Sequence, residues 1–266
     1  MKLRDKHVLL TGATGGIGQA IALELAGRGA KIGLVGTREE ALQRLAEKLS
    51  CSGKAALALP ADITRNEDQK RVIQQMQRTF GGIDVLINNA GVSQFTGFEA
   101  QDPQTIQHIF EVNTIAPMQL TRLVLPAMLD QHSGQIVNIG SIFGSIAFAC
   151  FTSYSASKFA LHGFSQALRR ELAGSAVKVT YIAPRAVKTA LNGEAVMRMA
   201  KAVKMNMDDP VLVAKKIVKA IENDKKDVFL GFPESLFVVI NNLLPGVVDN
   251  ALRKQNRIMR EFTQSS

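Results

Sequence analysis

The stretch His7-Val-Leu-Leu-Thr11 runs directly into Gly12-Ala-Thr-Gly-Gly16-Ile-Gly18 near the start of this 266-residue chain. Its first five residues have the apolar character of a short buried strand, and Gln19 to Arg28 has helical periodicity. A glycine-rich turn between a strand and a helix presents bare backbone N–H groups and the positive end of the helix dipole to a phosphate. The sequence therefore predicts a phosphate-binding turn that opens a βαβ unit.

The rest of the chain repeats this alternation of strand and helix. Six further apolar runs follow the first strand: Lys31–Val35, Ala55–Pro60, Asp84–Asn88, Gln135–Ile139, Val177–Ala183 and Asp227–Gly231. Strands this apolar are typical of a parallel sheet covered by helices on both faces. A chain of 266 residues with 46% hydrophobic content can bury one sizeable core. We predict a single Rossmann-like, doubly wound α/β domain with a seven-stranded parallel sheet.

A phenol and an ammonium group stand four residues apart in Tyr154-Ser-Ala-Ser-Lys158, on one face of a predicted helix. Lowering the pKa of a tyrosine by about 3 units takes roughly 4 kcal/mol of preference for the phenolate. A cation about 4–5 Å away in a partly buried site supplies roughly that amount. The pair indicates a general acid/base, and the alternative is an exposed helical pair with no catalytic role.

Several motifs together resemble the short-chain dehydrogenase/reductase family over about the first 230 residues. They are the TGxxxGIG loop at Thr11 to Gly18, the NNAG motif at Asn88-Asn-Ala-Gly91, Ser141 after the fifth strand and the YxxxK pair. The resemblance implies an NAD(P)H-dependent oxidoreductase that interconverts a carbonyl and a secondary alcohol. It also implies a catalytic tetrad of Asn113, Ser141, Tyr154 and Lys158, in which Asn113 anchors a water that links the lysine to solvent.

The resemblance further implies which residues bind the cofactor. They fall in the glycine loop, after the third and fourth strands, in the catalytic pair and in the PGxxxT loop after the sixth strand: Gly12, Thr14, Gly15, Gly16, Ile17, Gly18, Asp62, Ile63, Asn89, Ala90, Gly91, Tyr154, Lys158, Pro184, Val187 and Thr189. One position departs from the family, because Arg185 replaces the glycine of that last loop. Arg185 either points outward or contacts an acidic part of the cofactor or substrate.

The end of the second strand favours NADP(H) over NAD(H). NAD-preferring relatives have an acidic residue there, whereas Leu34 to Arg38 contains none. Gly36 leaves room for a 2′-phosphate, Thr37 can donate a hydrogen bond to it, and Arg38 can pair with it in a fork geometry. The alternative is that Arg38 is a solvated residue at the start of the next helix.

Composition indicates a cytoplasmic protein. Cys51 and Cys150 are too few for a disulfide framework, and the charged start of the chain does not resemble a signal peptide. The four histidines have no metal-ligand spacing. The net charge is +9, but the basic residues are dispersed and no nucleic-acid recognition motif accompanies them. Relatives commonly form homodimers or homotetramers, and the resemblance implies the same here.

Two segments bear on the substrate. Residues 190–207 contain four of the nine methionines, which suits a mobile apolar lid or an amphipathic helix that packs on the core. The stretch 235–248 is uncharged but too short to span a bilayer, and basic residues follow it up to Arg260. We expect residues 1–232 to form the NADP(H)-binding catalytic domain and 233–266 an apolar and basic extension of it.

That extension either covers the cleft, packs on a neighbouring subunit, or docks through 235–260 on an anionic membrane surface. An apolar or lipid-like ketone is the substrate that these segments favour. Two other functions remain open. Gly12, Gly15 and Gly18 also fit the TGxxGxxG spacing of sugar-nucleotide epimerases and dehydratases, and a noncatalytic NADP(H)-sensing protein would need the loop without the tetrad.

Overall fold

In the computed structural model, which describes residues 1–263, seven strands form one parallel sheet. The strands are β1 (His7–Thr11), β2 (Lys31–Gly36), β3 (Ala56–Pro60), β4 (Val85–Asn88), β5 (Gly134–Ile139), β6 (Val177–Ala183) and β7 (Asp227–Phe229). Their order across the sheet is β3-β2-β1-β4-β5-β6-β7, and every neighbouring pair is parallel. The predicted doubly wound α/β fold is confirmed.

Helices cover both faces of this sheet. They are α1 (Gly16–Gly27), α2 (Glu39–Ser50), α3 (Asn66–Phe80), α4 (Pro103–Phe110), α5 (Ala116–Asp130), α6 (Thr152–Glu171), α7 (Glu194–Ala202), α8 (Pro210–Glu222), α9 (Glu234–Leu243) and α10 (Pro245–Thr263). Leu10 packs in the core beneath α1, α2 and α8, while the adjacent Leu9 packs in the core beneath α3, α5 and α6. Because both faces are buried, the strands are apolar throughout rather than alternating.

The sequence places most strand ends within one residue of the structure. β7 is the exception, since it ends at Phe229 rather than at Gly231. Gly231 has a φ of +103°, a left-handed angle that turns the chain out of the strand. The first helix begins at Gly16 rather than Gln19, because the last glycines of the loop already have helical geometry.

A buried amide pair fixes the centre of the sheet next to the site. Asn88 on β4 lies opposite Asn138 on β5 and donates to its side-chain oxygen at 2.8 Å. Asn138 in turn donates to the hydroxyl of Ser165 on α6 at 2.8 Å. Buried hydrogen bonds of this kind are costly to break, so they hold α6 in register with the carboxyl ends of the strands.

The C-terminal helices α9 and α10 lie against the same edge of the sheet. Val238 and Val248 pack with Ile142 in one apolar cluster, and Met259 packs with Phe151 in a second. The side chain of Asn241 also donates to the carbonyl oxygen of Ser145 at 3.0 Å. Among residues 1–263, no helix combines the length and the hydropathy that a bilayer crossing requires.

Candidate active site

The loop after β1 meets the loop after β4 at the carboxyl edge of the sheet. The hydroxyl oxygen of Thr11 accepts from the backbone N–H of Asn89 and of Ala90, each at 3.0 Å. Gly12 lies against this junction with a φ of +63°, and a Cβ there would come within 2.7 Å of the Ala90 Cα. Glycine is therefore required at Gly12 both for the backbone angle and for the close approach.

The glycine loop forms a cradle at the start of α1. Within residues 1–263 no side chain caps this helix, and its first intrahelical bond runs from Gln19 N–H to Gly15 O at 2.8 Å. The preceding amides of residues 16–18 point out of the helix end, as phosphate binding requires. A Cβ at Gly18 would lie 2.1 Å from Gly12 O, so the turn folds tightly over the helix. The cradle fits the pyrophosphate of a dinucleotide.

The loop after β6 covers this cradle. A Cβ at Gly16 would meet Thr189 Cγ2 at 2.7 Å, which shows how closely Thr189 approaches the glycine turn. Pro184 and Val187 line the same cleft as Ile17 and Asn89. The structure thus brings together the glycine loop, the loop after β4 and the loop after β6, as the sequence predicts from their positions at the strand ends.

Ser141, Tyr154 and Lys158 meet in this cleft. Ser141 follows β5, and its Oγ accepts from the Phe143 N–H at 3.1 Å, which leaves the hydroxyl proton free to donate. Tyr154 and Lys158 lie in the first two turns of α6, and both line the cleft beside Ser141. A hydrogen bond joins the Ser141 side chain to the Tyr154 hydroxyl.

Lys158 is buried to an unusual degree for a lysine. Its side chain is 3% exposed, and Nζ donates to the carbonyl oxygen of Ile139 at 3.0 Å. Burial disfavours the ammonium form and lowers the pKa of Lys158 to about 8. Nζ lies 5.9 Å from the centroid of the Tyr154 ring.

Asn113 lies beside this lysine in a π-helical turn, Glu111–Ile115, between α4 and α5. Its side chain donates to Val92 O at 2.9 Å and to Ser157 Oγ at 3.0 Å, and accepts from Val92 N–H at 2.9 Å. A Cβ at Gly91 would lie 3.3 Å from Asn113 Oδ1 and 3.5 Å from Lys158 Nζ, so both groups flank one glycine. All four predicted tetrad residues therefore line or adjoin one cleft.

The sequence predicts that Lys158 lowers the pKa of Tyr154, and this prediction is wrong. Burial raises the pKa of Tyr154, and the hydrogen bond from Ser141 opposes that rise. Helical spacing places the two side chains near each other, but Lys158 Nζ bonds to Ile139 O instead of the phenol. Tyr154 is therefore protonated at neutral pH and has a proton to give, although its raised pKa makes it a weaker acid than a general acid tuned to the operating pH.

Arg38 lies just after the end of β2, next to the glycine loop. Its guanidinium donates to the carbonyl oxygen of Thr14 at 2.7 Å, so the side chain lies beside the glycine loop. Arg38 also occupies the N-cap position of α2, and both Arg38 and Thr37 are exposed. Asp62 follows β3 and accepts from the backbone and hydroxyl of Thr64, while the neighbouring Ile63 is buried.

Arg185 contacts carboxylates of its own chain. The sequence analysis expected it either to point outward or to contact an acidic part of the cofactor or substrate. Its guanidinium pairs with Asp208 at 2.7 Å and with Glu234 at 2.9 Å. Its φ is not positive, so the glycine of the family pattern is not needed here for its backbone angle.

Much of the cleft lining is apolar, and the sequence analysis largely missed these residues. Its lining includes two phenylalanines and residues of the segment 190–207: Phe143, Phe151, Leu191, Val196, Met199, Met205 and Met207. Phe143 also stacks on Phe148 with 4.4 Å between ring centroids. No spacing pattern marks these aromatic residues, because they come from loops whose contacts depend on the whole fold. The apolar character predicted for the methionine-rich segment agrees with its place in the cleft.

A second tyrosine contacts the backbone of Ser141 from β6. Tyr181 is fully buried on β6, and its hydroxyl donates to the carbonyl oxygen of Ser141 at 3.3 Å. His162 stacks on the Tyr181 ring with 4.2 Å between centroids. His162 is therefore packed against the sheet, and it is not among the residues that line the cleft.

These features define a dinucleotide-binding oxidoreductase with a Rossmann-type sheet. Residues 6–200 match the model of the short chain dehydrogenase family, and the protein belongs to the short-chain dehydrogenase/reductase family. Members of this family bind NAD(H) or NADP(H) and act on small carbonyl or alcohol substrates.

Similar proteins cover nearly the whole chain. Ketoacyl reductase HetN from Nostoc sp. (strain PCC 7120) is 36% identical and aligns over 96% of this chain and 95% of its own. The structure of a short-chain dehydrogenase from Streptomyces avermitilis has 30% identity, a TM-score of 0.80 and coverage of 95% of this chain and 98% of that one. A family member from Burkholderia phymatum, solved in complex with NAD, has 24% identity, a TM-score of 0.84 and coverage of 95% and 96%.

Proposed function

We propose that the protein is an NADP(H)-dependent reductase of an apolar ketone, with Tyr154 as the general acid. The observation that carries this proposal is the joint position of Ser141, Tyr154 and Lys158 in a cleft that is lined largely by apolar side chains. The name of HetN, a ketoacyl reductase, supports a ketone within an acyl chain.

The reduction assigns each polar group a separate role. When a ketone binds, the hydroxyl proton of Ser141, which otherwise faces Tyr154, donates to the ketone oxygen and orients it. When bound, the nicotinamide supplies a hydride to the carbonyl carbon. Tyr154 then gives its proton to the oxygen that is becoming an alkoxide. Lys158, with a pKa of about 8, lies beside Asn113 and can return a proton towards Tyr154 near neutral pH.

The proposal is tested by initial rates of NADPH oxidation with ketones graded from small polar compounds to medium-chain 3-oxoacyl esters. We expect rates to rise with apolar size and to fall roughly 100- to 10,000-fold in Tyr154→Phe, the range for loss of a general acid. Tyr181→Phe removes the only other phenol in the sequence and is the matched control; its rate should fall no more than about tenfold, because Tyr181 bonds only to the backbone oxygen of Ser141. If Tyr154→Phe reduced the ketones as fast as wild type, the role of Tyr154 as general acid would be rejected. If wild type reduced none of them, a noncatalytic NADP(H)-sensing function would be favoured.

The preference for NADP(H) is a separate proposal that rests on Arg38. Its exposed guanidinium lies beside the glycine loop, and Leu34 to Arg38 contains no carboxylate to repel a 2′-phosphate. Hydrogen bonds to charged groups are worth roughly 1.5–3 kcal/mol, so Arg38→Leu should weaken NADPH binding roughly 10- to 100-fold. NADH binding should change little. Arg44→Leu, on the exposed face of α2, is the control, and equal losses for both cofactors would contradict the proposal.

A peripheral membrane contact through 235–260 would explain the exposed face of α9. Leu236, Val239 and Leu243 lie along that face and are 48%, 54% and 74% exposed. Exposed basic residues, including Arg253 and Lys254, follow on α10 and suit anionic headgroups. Leu243→Glu should abolish co-sedimentation with phosphatidylserine vesicles, and a wild-type protein that stays in the supernatant would reject this contact. We also propose that the extension 233–266 is part of the same domain as the catalytic residues 1–232.

A homodimer or homotetramer in the cytoplasm completes the proposal. Apolar side chains in or next to α5 and α6 are exposed to solvent. The exposed fraction is 45% for Ile115, 42% for Met118 and 41% for Phe159. Exposed apolar groups of this kind suit burial between subunits. Phe159→Glu should reduce the mass measured by light scattering to that of the 28.8 kDa monomer, and a wild-type monomer would reject the assembly.

A further inference from the structure

Arg185 joins three segments of the chain that are far apart in sequence. Its two terminal nitrogens bond to Asp208 at 2.7 Å and Glu234 at 2.9 Å, and one of them also donates to the carbonyl oxygen of Phe232 at 3.1 Å. The three charged side chains are only 18%, 18% and 23% exposed. Partial burial strengthens such charge-assisted bonds relative to those on an open surface.

Each partner of Arg185 ends or begins a segment that borders the cleft. Asp208 follows residues 190–207, here called the lid, which contains α7 and contributes Met199 and Met205 to the cleft. Asp208 is also held by its backbone, since its N–H donates to Ala186 O at 2.8 Å and its carbonyl accepts from Lys188 N–H at 3.0 Å. The end of the lid is therefore fixed to the loop that carries Arg185.

Glu234 connects the same arginine to the C-terminal helices. It begins α9, and its second carboxylate oxygen accepts from the side chain of Asn206, within the lid, at 3.2 Å. The Arg185 side chain passes over Gly231, where a Cβ would lie 2.5 Å from Arg185 Cδ. The Arg185 side chain is thus closely packed between the lid and the start of α9.

We propose that Arg185 is a positioning residue that holds the lid and α9 against the loop after β6. It thereby keeps the apolar side chains of the lid in the cleft. It acts through Asp208 and Glu234. Without the guanidinium, two half-buried carboxylates would face each other with no cation between them, and their repulsion would favour an open lid.

Hydrogen exchange of the full-length protein tests this role independently of any substrate. Arg185→Met keeps most of the aliphatic stem and removes the charge. We expect lid amides in 197–207 to exchange roughly tenfold faster, as loss of a bond to a charged group implies, while amides of β1 and β4 keep their rates. Asp208→Asn with Glu234→Gln, added to Arg185→Met, should restore part of the protection because the repulsion is gone.

Arg44→Met is the matched control, since Arg44 forms an exposed pair with Glu40 and is 71% exposed. Unchanged exchange of the lid in Arg185→Met would overturn the proposal. So would acceleration spread evenly over the sheet, because that would indicate a general loss of stability. If Arg185→Met does not fold, Glu234→Gln alone carries the test, with lid exchange expected to rise roughly threefold and an unchanged rate overturning the proposal.

Discussion

Replacing Lys158 by methionine should make the protein more stable while removing its activity. A pKa lowered from 10.5 to about 8 means that the buried ammonium costs about 3 kcal/mol in the folded protein at neutral pH. Methionine has a similar volume and no charge, but it loses the hydrogen bond to Ile139 O, which is worth about 1 kcal/mol. The net expectation at pH 7 is a gain of about 2 kcal/mol, or a rise in Tm of roughly 5 °C.

The sign of this effect depends on pH. The folded pKa of Lys158 lies below that of an exposed lysine, so between about pH 8 and 10.4 the unfolded chain binds more protons than the folded one. Wild-type stability therefore rises with pH over this window, and the variant lacks that rise. Its advantage should shrink by about 2 kcal/mol from pH 7 to 9.5.

Thermal unfolding of both proteins at pH 7, 8 and 9.5 measures the difference directly. Lys178→Met is the control, because Lys178 is exposed on β6 and its removal should leave the pH dependence unchanged. The reasoning would be refuted if Lys158→Met were less stable than wild type at pH 7. It would also be refuted if the difference in Tm were the same at every pH.

Three further substitutions separate packing from function. Gly18→Ala should destabilise the protein by about 3 kcal/mol or more in a denaturation experiment, because the new Cβ would lie 2.1 Å from the Gly12 backbone oxygen. Gly16→Ala meets only the Thr189 side chain at 2.7 Å, so titration should show weaker NADPH binding with little change in Tm; an equal loss of stability would contradict this. Tyr181→Phe removes the bond to Ser141 O, and kcat should fall roughly two- to tenfold with KM unchanged, whereas a rise in KM alone would refute a role in positioning the serine.

The fold could be predicted because its signals are local. Each strand is a short apolar run, and the glycine loop lies between a strand and a helix, so the order of elements and the carboxyl edge of the sheet follow from neighbouring residues. The tetrad was predicted from the resemblance to the family and stays a prediction. Tyr154 and Lys158 lie on one helix, and Ser141 follows β5 by two residues, so the fold brings these three side chains to one edge of the sheet.

The features that the sequence did not predict depend on contacts between distant residues. Arg185 meets Asp208 and Glu234 across 23 and 49 residues of chain. The pKa of Tyr154 was predicted in the wrong direction because spacing on a helix gives proximity but neither burial nor the direction of Lys158 Nζ.

The transfer of deuterium from NADPH that carries deuterium at both positions of C4 of the nicotinamide tests the central claim most directly. The assay uses a medium-chain 3-oxoacyl ester and follows the label by mass spectrometry in wild type and in Tyr154→Phe. The account predicts deuterium on the carbinol carbon of the alcohol, formed at least 100-fold more slowly by the variant, as loss of the general acid requires. An alcohol without the label, or equal rates for the two proteins, would contradict it.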